Sequence, residues 1–159
     1  MSTAKAQMRR QVNDAIRALS REEVLRRSSE IENRLFESTF WQEAKSVYCF
    51  VSFAREVQTA TIRSRALSEG KPLALPRVTG DEMQFHIVQK DDRPLVRSSF
   101  GIYEPAEDLP VVEPSDHPPA LVVVPGVAFD GSCYRLGRGK GYYDRFLGRY
   151  RVSLMAVGG

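Results

Sequence analysis

The feature that most limits how this chain can fold is an alternation of short, β-rich apolar runs with stretches of helical periodicity. Val47-Tyr48-Cys49-Phe50-Val51 reads as a first buried strand, Leu73-Ala74-Leu75 as a second stopped by Pro76, and Met83 to Val88 as a third. Leu121 to Val124 follows as a central strand, and Val152 to Val157 begins another. Met8, Val12, Ile16 and Leu19 recur every three or four residues and predict a helix from about Thr3 to Leu19. Ser20 with Glu23 forms a capping-box pattern that should start a second helix from about Arg21 to Phe36, with Ile31 and Leu35 facing inward. Thr59 can cap a helix ending at Gly70, and Gly141 to Tyr150 reads as a last helix. Five of the nine prolines fall between Gly101 and Pro119, which denies that segment both helix and central strand. Strands alternating with helices imply a single open, mostly parallel sheet flanked by helices, a three-layer α/β/α fold.

Composition excludes several classes. At 159 residues, 42% hydrophobic and 27% charged, the chain has ordinary globular usage and is read as one domain over 1–159. No apolar run approaches the roughly 20 residues needed to cross a bilayer, so a membrane role is not expected. Cys49 and Cys133 lack metal-type spacing, and the N-terminal third mixes arginine with acids, unlike a signal or transit peptide. The expectation is a reduced, cytoplasmic protein. Five acids and no Lys or Arg lie between Gly101 and Ala120, whereas six basic residues face only Asp130 and Asp144 after Gly126. That asymmetry suits a local anionic ligand, although solvated surface charge explains it equally well.

The stretch richest in chemistry follows the Leu121–Val124 run. It reads Pro125-Gly126-Val127-Ala128-Phe129-Asp130 and then Arg135-Leu136-Gly137-Arg138-Gly139-Lys140-Gly141-Tyr142-Tyr143-Asp144. Its position, after a strand and before a helix, is where open α/β sheets bind ligands. Alternate glycines at 137, 139 and 141 remove every other Cβ, so backbone amides can turn toward an anion. The following helix adds its positive end. Arg135, Arg138 and Lys140 supply full charges, and Asp144 is a carboxylate placed to hold magnesium between phosphates. Neither the P-loop nor the dinucleotide fingerprint fits, because Gly141 follows Lys140, and Tyr142 or Asp144 stands where a last glycine belongs. From the residues alone three readings stay open: a phosphate site, a nucleic-acid clamp with Tyr142 and Tyr143 stacking on bases, and a solvated loop. The spread of acids along the chain argues against nucleic acid.

This run closely resembles the signature of 5-formyltetrahydrofolate cyclo-ligases, also called methenyltetrahydrofolate synthetases. Lys5 and Arg9, Glu56, Pro76-Arg77, Phe100-Gly101-Ile102 and Glu104-Pro105 carry the resemblance along the rest of the chain. The resemblance implies ATP as co-substrate, Mg2+ as cofactor and 5-formyltetrahydrofolate as substrate. It further implies that Lys5, Arg9, Arg135, Leu136, Gly137, Arg138, Gly139, Lys140, Gly141, Tyr142 and Tyr143 bind ATP, with Arg138 and Lys140 nearest the reacting groups. Val51, Glu56, Phe100 and the loop from Arg138 to Tyr142 would border the folate, and Asp144 would be a metal ligand. His86 is expected to be structural, His117 and Arg10 to be exposed, and Cys133 to have no role. Family members continue beyond the last strand visible here, so the resemblance also implies a C-terminally shortened chain with one acidic metal contact fewer. A monomer or weak dimer is expected, and a binding-competent but catalytically impaired homologue is the alternative.

Overall fold

The computed structural model describes residues 3–53, 56–89, 94–98, 101–132, 134–137, 140–150 and 155–157. In chain order it forms α1 (Thr3–Arg17), α2 (Arg21–Glu37), α3 (Thr39–Glu43), β1 (Ser46–Cys49), α4 (Ala60–Ser68), β2 (Leu73–Thr79) and β3 (Glu82–Val88). Next come the two-residue strands β4 (Val96–Arg97), β5 (Tyr103–Glu104) and β6 (Val111–Val112), and a 3-10 turn at Pro114–Asp116. The chain then forms β7 (Ala120–Val123), β8 (Ala128–Phe129), β9 (Arg135–Leu136), α5 (Tyr142–Arg149) and β10 (Met155–Val157).

Six strands form the main sheet in the order β10-β7-β1-β2-β3-β6. The β10–β7, β7–β1 and β1–β2 pairs are parallel, and β2–β3 and β3–β6 are antiparallel. The mostly parallel open sheet is therefore present. Its central strands β1 and β7 are buried along their whole length, as a sheet covered on both faces requires. On one face Leu35 of α2, Trp41 of α3, and Ile62 and Ala66 of α4 pack on Val47, Leu73, Leu121 and Val123. On the other, Phe146 of α5 packs on Tyr48, Ala74, Phe85 and Val122. These are the three expected layers.

Several local expectations need correction. α1 stops at Arg17, not Leu19, and none of its described side chains is fully buried; Met8 is 46% exposed. Ser20 does cap α2, accepting from the Glu23 amide at 3.1 Å, but the Glu23 carboxylate is held by Arg26 and Arg27. Thr59 does not cap α4 with its side chain: its buried hydroxyl donates instead to the Phe50 carbonyl at 2.8 Å. β2 runs through Pro76 to Thr79, because pairing with β1 ends at Ala74 and the strand is an edge on that side. Within the proline-rich segment β6 adds to the sheet edge, pairing Val112 with Phe85. Of the run expected from Val152, the part up to Leu154 lies outside the described residues.

Candidate active site

Chain direction fixes where a ligand crevice can form. β1 leads through α4, on one face, to its neighbour β2; β7 leads through α5, on the opposite face, to its neighbour β10. β1 and β7 are adjacent and parallel, so the two connections diverge at their carboxyl ends, the usual ligand position in an open α/β sheet. The segments leaving these two ends are residues 50–59, carrying Val51 and Glu56, and residues 124–141, carrying the glycine loop.

The first half of the glycine segment is a hairpin, not an irregular loop. β8 pairs with β9, Ala128 opposite Leu136 and Phe129 opposite Arg135, and the Val127 amide donates to the Leu136 carbonyl at 2.7 Å. Asp130 shapes the turn: its Oδ1 accepts from the Ser132 amide at 2.8 Å and the Tyr134 amide at 3.0 Å. Asp130-Gly131 is a common hairpin signal, so the turn has a local cause in the sequence.

Arg135 is a brace in this state. One guanidinium nitrogen donates to the Pro125 carbonyl at 2.9 Å and another to Asp144 Oδ1 at 2.8 Å, with the side chain only 13% exposed. The proposed phosphate ligand and the proposed metal ligand are thus paired with each other. The Gly137 carbonyl accepts from Arg9 Nε at 2.8 Å, which docks α1 onto the loop. A Cβ at Gly137 would come within 2.8 Å of Arg135 Nη1. Gly141 precedes α5 with φ +72°, a conformation that favours glycine, and no side chain caps the helix. Its uncapped amides point outward from the helix N-terminus.

Arg145, unmarked in the sequence, staples this region by donating to the Lys140 carbonyl at 2.9 Å and the Asp81 carbonyl at 3.0 Å. Its spacing of four from Gly141 was the available signal, since that spacing brings a side chain back over the first turn. The Tyr142 hydroxyl donates to the Gly80 carbonyl at 3.1 Å. Lys5 and Lys140 are exposed. Arg138, Gly139, Phe100 and Cys133 lie outside the described residues.

Across the crevice, Val51 is half-buried against the core on the α4 face. Glu56 Oε1 accepts from the Phe53 amide at 2.8 Å, which folds this segment on itself. Tyr143 packs against the apolar residues of both faces, and Arg135 lies 5.9 Å from its ring centre. Burial foremost, then the nearby Cys49 and Glu56, raise its hydroxyl well above the ordinary phenol range, while Arg135 opposes the rise.

Asp144 is 70% exposed, and among the described residues no group of three or more His, Cys, Asp or Glu gathers as a metal site. Two concavities, of about 190 Å³ beside Asp81, Tyr142 and Arg145 and about 320 Å³ beside Arg77 and His86, are lined by neither Val51 nor Glu56. His86 is buried, its Nδ1 2.7 Å from the Leu109 carbonyl, as a structural histidine should be. His117 and Arg10 are exposed.

The 5-formyltetrahydrofolate cyclo-ligase family model matches residues 1–157, nearly the whole chain. The chain belongs to this family. The Mus musculus 5-formyltetrahydrofolate cyclo-ligase is 32% identical over 154 residues, 94% of this chain and 76% of that protein. The mitochondrial cyclo-ligase of Arabidopsis thaliana is 34% identical over 137 residues, 76% of this chain and 49% of that protein. The solution structure of the Aquifex aeolicus 5,10-methenyltetrahydrofolate synthetase superposes with a TM-score of 0.81 at 37% identity, covering 97% of this chain and 76% of that one. Cyclo-ligases are enzymes by name, and the fold of this chain is theirs. Among the described residues no helix is long and apolar enough to cross a membrane.

Proposed function

We propose that this cyclo-ligase family member converts 5-formyltetrahydrofolate to 5,10-methenyltetrahydrofolate, using ATP and releasing ADP and phosphate. The observation that carries the proposal is the meeting of the Glu56 segment and the glycine segment at the diverging ends of β1 and β7. One offers a carboxylate and apolar surface to the N–H-rich edge of a reduced pterin. The other offers a helix N-terminus and cations to a triphosphate.

The chemistry needs this juxtaposition. The formyl group is an amide, and its oxygen leaves poorly. Attack of that oxygen on the γ-phosphorus breaks the bond to ADP and yields a phosphorylated imidate. N10 then attacks the same carbon, phosphate departs, and loss of the N10 proton completes the ring. Phosphoryl transfer asks mainly for positioning and charge neutralisation. In this reading Lys5, Arg9 and the loop from Arg135 to Tyr143 hold the nucleotide, with Arg138 and Lys140 at the transferring group. Val51, Glu56 and Phe100 border the folate.

Magnesium commonly takes one or two carboxylates and completes its shell with phosphate and water oxygens. An exposed Asp144 with one oxygen committed to Arg135 fits that modest demand. Bound there, the ion would supply charge neutralisation to the phosphates. Leaving Arg135, Asp144 would free that guanidinium to turn toward the nucleotide.

The test is spectrophotometric. 5-formyltetrahydrofolate with ATP and magnesium should generate the methenyl chromophore, and omission of either ATP or magnesium should stop it. Lys140→Ala should lower kcat by roughly a thousandfold, the scale of removing a charge-stabilising group from a phosphoryl-transfer site. No chromophore from the folded wild-type chain would overturn the proposal.

A further inference from the structure

The Tyr143 hydroxyl is out of contact with solvent and has no hydrogen-bond partner among the described residues. A buried unpaired hydroxyl forfeits its hydration with nothing in exchange, so its presence asks for an explanation that packing does not supply. Phenylalanine would fill the same space between the two apolar clusters. The phenol sits where the two halves of the crevice meet: its ring faces Phe85 at 6.4 Å and the Arg135 guanidinium at 5.9 Å, and Glu56 lies within electrostatic reach. A phenolic O–H is a hydrogen-bond donor.

We infer that Tyr143 is a specificity residue for the folate rather than the nucleotide, its hydroxyl donating to a carbonyl or ring-nitrogen acceptor of the reduced pterin while Glu56 accepts from that ring's N–H groups. A pterin edge alternates donors and acceptors, so a carboxylate acceptor and a phenol donor on neighbouring elements complement it, and a site so built rejects rings lacking the pattern. The backbone amide of Tyr143, in the first turn of α5, remains available to phosphate, so side chain and main chain serve different ligands. This inference rests on the proposed folate chemistry.

Tyr143→Phe separates the possibilities because it removes only the oxygen. The expected result is a KM for 5-formyltetrahydrofolate raised about tenfold, a KM for magnesium-ATP within about twofold of wild type, and a thermal midpoint unchanged or higher. An unchanged folate KM, or an equal rise in both KM values, overturns the inference. So does a variant that loses its near-ultraviolet circular dichroism, since the hydroxyl would then be structural. If the wild type shows no turnover, the proposed activity fails by itself, and calorimetric titration with 5-formyltetrahydrofolate decides the role of Tyr143. Weaker binding by the Phe variant supports it; equal binding, or none by either protein, overturns it.

Discussion

Arg135 joins the exit of β7, the β8–β9 hairpin and the first turn of α5 through two hydrogen bonds. The two contacts differ in worth. Asp144 is largely exposed, and an ion pair to such a group contributes at most about 1 kcal/mol. The Pro125 carbonyl is half-buried and loses its charged donor when the guanidinium is removed. Arg135→Ala should therefore cost about 2 kcal/mol in urea unfolding, and Asp144→Ala less than about 1. Equal losses would mean that Arg135 is no brace. A second residue-scale prediction concerns protons. Burial pushes the Cys49 thiol up to about 12 from 9.0, and burial likewise raises Tyr48 and Tyr143 from 10.0. Groups that hold protons more tightly when folded contribute stability that is complete below their unfolded pKa and is lost as pH rises toward the folded value. Unfolding free energy should thus fall as pH rises from about 9 toward 12, and the fall should be shallower in Cys49→Ala. A slope unchanged by that substitution would remove Cys49 from the explanation.

Among the α-helices, α1 is the least buried: none of its described side chains is fully buried, and Arg9 ties it to the Gly137 carbonyl. Arg9→Ala should speed amide hydrogen exchange across Thr3–Arg17 while leaving α2 and the central strands protected. Uniform acceleration would show that the contact supports the whole fold instead. The long elements were legible in the sequence because their signals are local. Ser20 before an amphipathic run starts α2, and the apolar run at Leu121–Val124 coincides with most of β7. What escaped depends on partners far along the chain. β6 is a strand only because β3 offers it an open edge, and Pro76 stays in β2 only because β1 has already ended. The Asp130-Gly131 turn was visible but was outweighed by the glycines that follow it. At the site, the residue types were readable and their engagement was not: neither the Arg135–Asp144 pairing nor the orphaned Tyr143 hydroxyl follows from spacing.

At the scale of the molecule, the order β10-β7-β1-β2 does what no single residue can. It sends two helical connections to opposite faces, so they diverge at the carboxyl ends of β1 and β7, where open α/β sheets bind ligands and from which both candidate ligand segments leave. The central claim is that the two segments leaving these strand ends hold a triphosphate against the formyl oxygen of a reduced folate. A structure of the chain with a non-hydrolysable ATP analogue, magnesium and 5-formyltetrahydrofolate tests it most directly. The account predicts the terminal phosphate under residues 135–141 with the formyl oxygen in line with it and the pterin beside Glu56. A nucleotide bound elsewhere at saturation, or a pterin separated from it, would contradict the account.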